Sequence, residues 1–109
     1  MKKTIYSLVF SLLILLQINI RAQAWSELGG TNSLSANDVI ASTCTDASGN
    51  VYTSGSFSNA STLKYVAKFN GTTWGELGGT NGLAANGSID AICSDKSGNI
   101  YAGGSFTNT

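Results

Sequence analysis

The chain has 109 residues, of which 13 are glycine and none is histidine or proline. This length allows one small domain, and six basic residues balance six acidic ones to give a formal net charge of zero. Because histidine is absent, the commonest general base, the commonest zinc ligand and the Ser/His and Cys/His nucleophile pairs are excluded. We therefore expect no catalytic residue, no metal site and no cofactor.

The N-terminal segment has the three parts of a secretory signal. Lys2-Lys3 begins it, an apolar run over residues 8–16 follows, and Ala22-Gln23-Ala24 supplies the small side chains that a signal peptidase accepts. A membrane anchor is the alternative, but the apolar run is shorter than the roughly 20 residues that a spanning helix needs. We predict that residues 1–24 are a signal peptide and that the mature chain is secreted or held at the cell surface.

The charges of the mature chain are few and scattered. Residues 25–109 carry three lysines and six carboxylates, which gives a net charge of −3. A nucleic-acid-binding protein shows a basic patch, and a membrane-surface helix shows a basic amphipathic face. Neither pattern is present, so we expect neither nucleic acid nor, for the mature form, a membrane as partner.

The strongest signal is an internal repeat. A gapless alignment of residues 25–59 with residues 74–108 gives identical residues at 21 of 35 positions, at an offset of 49. A period of this length is typical of propeller blades, because helical repeats of similar size need long amphipathic helices and the coils of a β-helix are shorter. No long helical pattern occurs in either copy.

Runs of β-branched, aromatic and small residues predict the strands. In chain order they cover residues 39–45, 51–57, 65–69 and 73–77 in the first unit and residues 88–94 and 100–106 in the second. Asp46–Asn50 and Asp95–Asn99 share the pattern D-x-S-G-N, which predicts tight turns, and Asn70-Gly71 is a strong hairpin signal. Each unit is therefore predicted to be a four-stranded antiparallel sheet with apolar residues on both faces.

A sheet of this kind needs neighbours to cover both faces. We predict an all-β fold, a fragment of a β-propeller with about 1.7 blades. Residues 25–28 belong to a strand of a preceding blade, residues 29–77 form a complete blade, and residues 78–109 form an incomplete one. Closed propellers typically have four to eight blades. The chain is therefore expected to be a fragment of a longer product that arises from a truncated reading frame; a subunit that closes by association is the alternative.

Four further residue pairs recur at equivalent positions of the two units. Trp25 and Trp74 are expected to pack between adjacent sheets, since aromatic side chains dominate buried area. Cys44 and Cys93 are expected to be free and buried, because a sheet spacing of roughly 10 Å exceeds the span of a disulfide. 

Asp46 and Asp95 are predicted to cap their turns. The alternative, a calcium loop, needs six to eight oxygen ligands, and each turn supplies a single carboxylate. Glu27 and Glu76 recur at one position of each unit, which favours a structural or solvated role over an active site.

The pattern Y-A-G-G-S-F at residues 101–106, with Y-V-A-K-F-N-G-T-T-W at residues 65–74, resembles the kelch repeat of galactose-oxidase-type propellers. The turn D-x-S-G-N-[VI]-Y is similar to repeats of secreted bacterial seven-bladed propellers and of NHL-type propellers, and the whole pattern resembles long secreted repeat proteins, including fungal cell-polarity markers. The first unit departs from the double glycine, with Ser54-Gly55 in its place. The resemblance implies a propeller architecture without fixing a function, since these families include enzymes, adhesins and scaffolds.

The predicted function is an exported β-propeller repeat module with a binding or structural role and no catalysis of its own. Its partner is an unidentified protein or glycan, and the loops at residues 29–38 and 78–87 are expected to lie on one side of the ring. Self-association through open blade faces is a further hypothesis. The alternative is a fragment of a secreted propeller enzyme, of galactose-oxidase, sialidase or lyase type, whose active site lies in other blades. The sequence names no binding residue.

Overall fold

The computed structural model describes residues 24–107. The predicted signal peptide lies outside the described residues except for its last residue, Ala24. In the described part, a short 3-10 turn at Gly30–Asn32 precedes six strands: β1 Ile40–Thr45, β2 Val51–Gly55, β3 Ala67–Phe69, β4 Trp74–Glu76, β5 Ile89–Ser94 and β6 Ile100–Gly104. The all-β prediction is confirmed, and no helix among residues 24–107 is long and apolar enough to cross a membrane.

The first four strands form one antiparallel sheet in the order β1-β2-β3-β4, which we call the four-stranded sheet. Short turns join β1 to β2 and β3 to β4, and residues 56–66 join β2 to β3. Asn70 closes the β3–β4 turn, with its side-chain oxygen accepting the backbone N–H groups of Thr72 and Thr73 at 3.0 and 2.9 Å. The four antiparallel strands predicted within residues 29–77 are therefore present, and each observed strand is shorter than the predicted one.

Strands β5 and β6 form a separate antiparallel pair, which we call the two-stranded sheet. Its register repeats that of β1 and β2: Cys93 lies opposite Tyr101 as Cys44 lies opposite Tyr52. Both pairs also contain a β-bulge near the start of the first strand, between Ile40 and Ser42 and between Ile89 and Ala91. The sequence repeat is thus a repeat of local structure.

The bulge explains one glycine of each unit. At Gly55 a β-carbon would overlap the carbonyl oxygen of Val39, and at Gly104 it would overlap that of Ser88. Gly103, by contrast, has open space where a β-carbon would be. A close approach of backbones therefore occurs at Gly55 and Gly104, whereas packing does not require a glycine at position 103.

The hydrophobic core lies between the two sheets. One side of it comes from the four-stranded sheet and the other from the two-stranded sheet and the segment that leads into it. Its buried members are Tyr52, Val66, Ala85, Ile89 and Ile92, with Cys44, Leu77, Leu83, Ile100 and Phe106 packed against them. The segment at residues 78–87, predicted as a loop at one side of a ring, thus contributes Leu83 and Ala85 to the core.

Several residues lie in places the sequence did not predict. Residues 25–28 do not form a strand in this structure, because no described strand lies beside them to supply hydrogen bonds. Trp25 is 94% exposed, so the prediction that it packs between sheets is wrong. Trp74 is partly buried, but it stacks beside Phe69 with ring centroids 5.3 Å apart and is not part of the core between the sheets.

Candidate interaction surfaces

The D-x-S-G-N turns have the same geometry in both units. In the first, one carboxylate oxygen of Asp46 accepts the N–H groups of Ser48 and Asn50 at 2.9 and 3.0 Å. The other accepts the Asn50 side-chain amide at 2.7 Å and the Tyr52 hydroxyl at 2.8 Å. Asp95 makes the corresponding four hydrogen bonds in the second unit, all between 2.7 and 3.0 Å. The prediction that both aspartates cap their turns is confirmed.

These hydrogen bonds favour the charged form of each carboxylate. The amide of Asn50, followed by the hydroxyl of Tyr52 and backbone N–H groups, lowers the pKa of Asp46 from 3.8 to about 2 against a smaller opposing effect of burial. The Asn99 amide likewise lowers the pKa of Asp95. Each aspartate is therefore ionised at neutral pH and already holds four donors, which makes it a turn-stabilising group.

Glu76 also accepts hydrogen bonds within the fold. Its carboxylate accepts the Asn59 side-chain amide at 3.0 Å and the backbone N–H of Asn81 at 2.8 Å. The same Asn59 amide reaches the Asn81 side-chain oxygen at 2.7 Å. Glu76 thereby connects the loop after β2 with the turn after β4, in agreement with the structural role predicted for it. Its counterpart Glu27 is exposed at the edge of the pocket described next.

The face of the four-stranded sheet that is turned away from the two-stranded sheet is partly open to solvent: Ile40 on it is 51% exposed, whereas Thr53 is 3% exposed. We call it the open face; its strand residues are Ile40, Thr43, Val51, Thr53 and Trp74. Together with Leu28, Leu34 and Ala36 they line a pocket of about 480 Å³. Trp74 connects the two parts of this pocket, since its indole N–H donates to the carbonyl oxygen of Leu28 at 2.9 Å.

A second open surface lies on the two-stranded sheet, on the side turned away from the four-stranded sheet. Cys93 and Tyr101, which are opposite each other in the register, lie there and are both exposed. Tyr101 has 56% of its surface exposed, whereas its counterpart Tyr52 has 3%. We call this surface the Tyr101 face. Both cysteines are free, as predicted, but Cys44 is only partly buried and the prediction that Cys93 is buried is wrong.

The open face and the Tyr101 face carry residues equivalent, by position in the repeat, to those on the two sides of the core. Ile40 of the open face corresponds to Ile89, and their exposed fractions are 51% and 0%. Leu34 and Val51 correspond in sequence to Leu83 and Ile100, which pack against the core; all four side chains are half-buried. One side of a sheet-to-sheet contact is thus exposed at one end of the described chain, and the other side at the opposite end.

Metal-ligating side chains do not gather at either surface of the described part. Among residues 24–107 no group of three or more histidine, cysteine, aspartate or glutamate residues lies close enough to hold a metal ion. The aspartates and glutamates that the sequence singled out lie apart: Glu76 ends β4, and the others lie in separate turns and loops. What the structure brings together is apolar, and the sequence signal for it was the recurrence of apolar residues at equivalent positions of the two units.

Comparison of this chain with known protein families, with curated proteins and with solved structures finds no match.

Proposed function

We propose that this chain is an exported β-propeller repeat module whose role is binding or structural. The observation that carries the proposal is the stacking of one repeat unit on the next. Tyr52 and Val66 of the first unit are each 3% exposed because the second unit covers them, and Ile89 of the second is fully buried in return. Repeat proteins gain stability from such contacts between neighbouring units.

The order of the strands supports a propeller architecture. A propeller blade is a four-stranded antiparallel sheet, and blades pack face to face around an axis. The order β1-β2-β3-β4 meets the first requirement, and the apolar residues on both faces of the sheet meet the second. The resemblance of the repeats to kelch-type and NHL-type blades agrees with this proposal.

The repetition of the side chains supports a binding or structural role. The carboxylates of Asp46 and Asp95 recur in both units and are used there for local structure. A catalytic residue serves one site and breaks such a repeat. The segments at residues 29–38 and 78–87 differ at three of their ten positions, Ser33/Gly82, Ser35/Ala84 and Asp38/Gly87. Partner specificity would vary at these positions.

Export is tested by expressing the full chain in a secreting host and determining the intact mass of the product. The proposal expects a product that begins within one or two residues of Trp25, in the exported fraction. Ala24→Arg places a large charged side chain at the cleavage site, so it should leave an uncleaved precursor. Ala60→Arg adds the same charge in an exposed loop and should be processed normally. An uncleaved chain in the cytosol would contradict export.

The role is tested with the exported product on a glycan array. Saturable binding to one class of glycan assigns a glycan-binding role, and its absence leaves protein binding or structure as the role. Turnover of a carbohydrate on the array would instead support the enzyme alternative and contradict the proposal.

A further inference from the structure

The contact between the two sheets is a template for a second contact. Within the chain, the side of the four-stranded sheet that carries Cys44 and Tyr52 is covered by β5 and by the segment that precedes it. Tyr52 fits there with its ring buried and its hydroxyl on Asp46. The structure therefore shows what kind of surface covers a Cys–Tyr pair in this repeat: the opposite face of another unit.

The same Cys–Tyr pair is uncovered on the Tyr101 face. Tyr101 donates its hydroxyl to Asp95 at 3.0 Å, as Tyr52 does to Asp46 at 2.8 Å, so the two rings have the same local support. Cys93 lies opposite Tyr101 in the same register as the buried pair. The Tyr101 face is thus already in the arrangement that accepts a neighbouring unit, and 56% of the tyrosine surface is exposed to solvent.

The surface that would cover it is present on the open face of another copy. Ile40, Val51 and Leu34 of the open face correspond to Ile89, Ile100 and Leu83, which cover Tyr52 within the chain. Most of these counterparts are conservative exchanges or identities, and the pocket of about 480 Å³ between them leaves room for an aromatic ring. The polar exceptions are Thr43 and Thr53, which replace Ile92 and Ala102.

One hydrogen bond of the template can also be repeated. The Ser94 hydroxyl donates to the carbonyl oxygen of Thr45 at 2.7 Å across the two sheets. In a second contact the equivalent donor is the Thr45 hydroxyl of one copy, and the acceptor is the Ser94 carbonyl of the other. The bond from the Ile92 N–H to the Ser42 hydroxyl has no equivalent, because Ala91 replaces the serine. The second contact is therefore expected to be weaker than the first.

We propose that this chain binds a second copy of itself head to tail, with the Tyr101 face of one copy on the open face of the next. A head-to-tail contact joins two different surfaces, so it continues into a ring or an open chain of copies. This inference goes beyond the proposed function and does not depend on export, because it rests on the contact between the two sheets.

Two variants that each block one surface test the proposal. Ile40→Lys places a charge on the open face, and Cys93→Lys places one on the Tyr101 face; both positions are exposed in a single copy. Ala47→Lys is the matched control, because it adds the same charge in an exposed turn where the second unit already has Lys96. The chain is used as recovered from the expressing cells, and its mass in solution is measured by light scattering over a range of concentrations.

The unsubstituted chain and Ala47→Lys should exceed the mass of a monomer, with a mass that rises with concentration. Ile40→Lys alone and Cys93→Lys alone should be monomers, because each lacks one of the two surfaces. An equal mixture of the two variants should form a dimer and nothing larger, since only one pair of intact surfaces remains. A monomeric unsubstituted chain at every concentration, or a mixture that stays monomeric, would overturn the proposal.

A second measurement needs no variant. The rate at which N-ethylmaleimide alkylates Cys93 in the unsubstituted chain is followed by peptide mass spectrometry as the protein concentration rises. Docking covers Cys93, so mass action predicts that its alkylation slows by about tenfold as the assembled fraction approaches nine-tenths. A rate for Cys93 that is independent of concentration would also overturn the proposal, whereas failure of export or of glycan binding would leave it unaffected.

Discussion

A single aspartate organises the turn of each repeat unit. Asp46 holds two backbone N–H groups, one amide and one tyrosine hydroxyl, and through the last of these it connects the turn to the core between the sheets. Tyr52 responds to the same contact: burial, and after it the hydrogen bond to Asp46, raises the pKa of its hydroxyl. The pattern D-x-S-G-N-x-Y is thus one hydrogen-bonded unit.

The lowered pKa of Asp46 predicts a dependence of stability on pH. The folded-state pKa is about 2, and an unfolded chain has a value near 3.9, so the unfolded state binds more protons between these values. The stabilisation is complete above about pH 4 and is lost as the pH falls towards 2. Denaturant midpoints measured from pH 6 to pH 2 should fall over this interval in the unsubstituted chain.

Asp46→Asn isolates the contribution of this one turn. The variant should be less stable at pH 6, and its difference from the unsubstituted chain should shrink as the pH falls towards 2. The control is Asp90→Asn, since the Asp90 carboxylate is exposed and has one long contact, to the Ser105 hydroxyl at 3.4 Å. A constant difference for Asp46→Asn across this pH range would contradict the prediction.

At the scale of the elements, the hairpins β1–β2 and β5–β6 have similar sequences and the same strand register. β1 and β2 pair as β5 and β6 do, and both pairs begin with a bulge opposite a glycine. The backbone after β2 also bonds to the segment before β1, with the Ser56 N–H donating to the Val39 carbonyl at 2.9 Å, and Ser105 and Ser88 repeat this bond. Bulges bend and twist a strand locally, so they give both hairpins the same shape.

Gly55→Ala should therefore destabilise the fold. Its β-carbon would overlap the Val39 carbonyl oxygen, and both groups belong to backbone that is fixed by the bulge. We expect a loss of about 2–3 kcal/mol in the free energy of unfolding, from chemical denaturation. Gly103→Ala is the matched control, because open space surrounds that position and the first unit has Ser54 there; it should change the free energy by about 0.5 kcal/mol or less. Equal effects of the two substitutions would contradict this account.

At the scale of the whole molecule, the main packing interaction joins the two units. The four-stranded sheet buries one face against the two-stranded sheet and leaves the other face partly open. The two-stranded sheet buries the face that carries Ile92 and leaves the face that carries Tyr101 exposed. Residues of one type at equivalent positions therefore have different environments, which is expected when stability is shared between neighbouring units.

Substitutions at Ile89 and Ile40 test this difference in burial directly. Ile89→Ala removes a side chain with no exposed surface, so we expect a loss of about 2–5 kcal/mol in the free energy of unfolding. Ile40→Ala truncates the equivalent side chain, which is 51% exposed, and should cost about 1 kcal/mol or less at a concentration where the chain is a monomer. Similar losses for both variants would contradict the assignment of the core to the contact between the sheets.

The sequence by itself determined the elements and their turns. Alternation of side chains and turn residues are local signals, so the six strands, the two Asp-capped turns and the Asn70 hairpin were predicted close to their observed places. The repeat added that β5 and β6 copy β1 and β2. Such features depend on residues near one another in the chain.

Only the tertiary structure decided which copy of each recurring residue is buried. Trp25 and Trp74, Cys44 and Cys93, and Tyr52 and Tyr101 are pairs of identical residues with different exposure. Burial depends on which sheet lies against a face, and this is a contact between residues far apart in the chain. For the same reason the open face and the Tyr101 face could not be located from the sequence, although their residues recur in it.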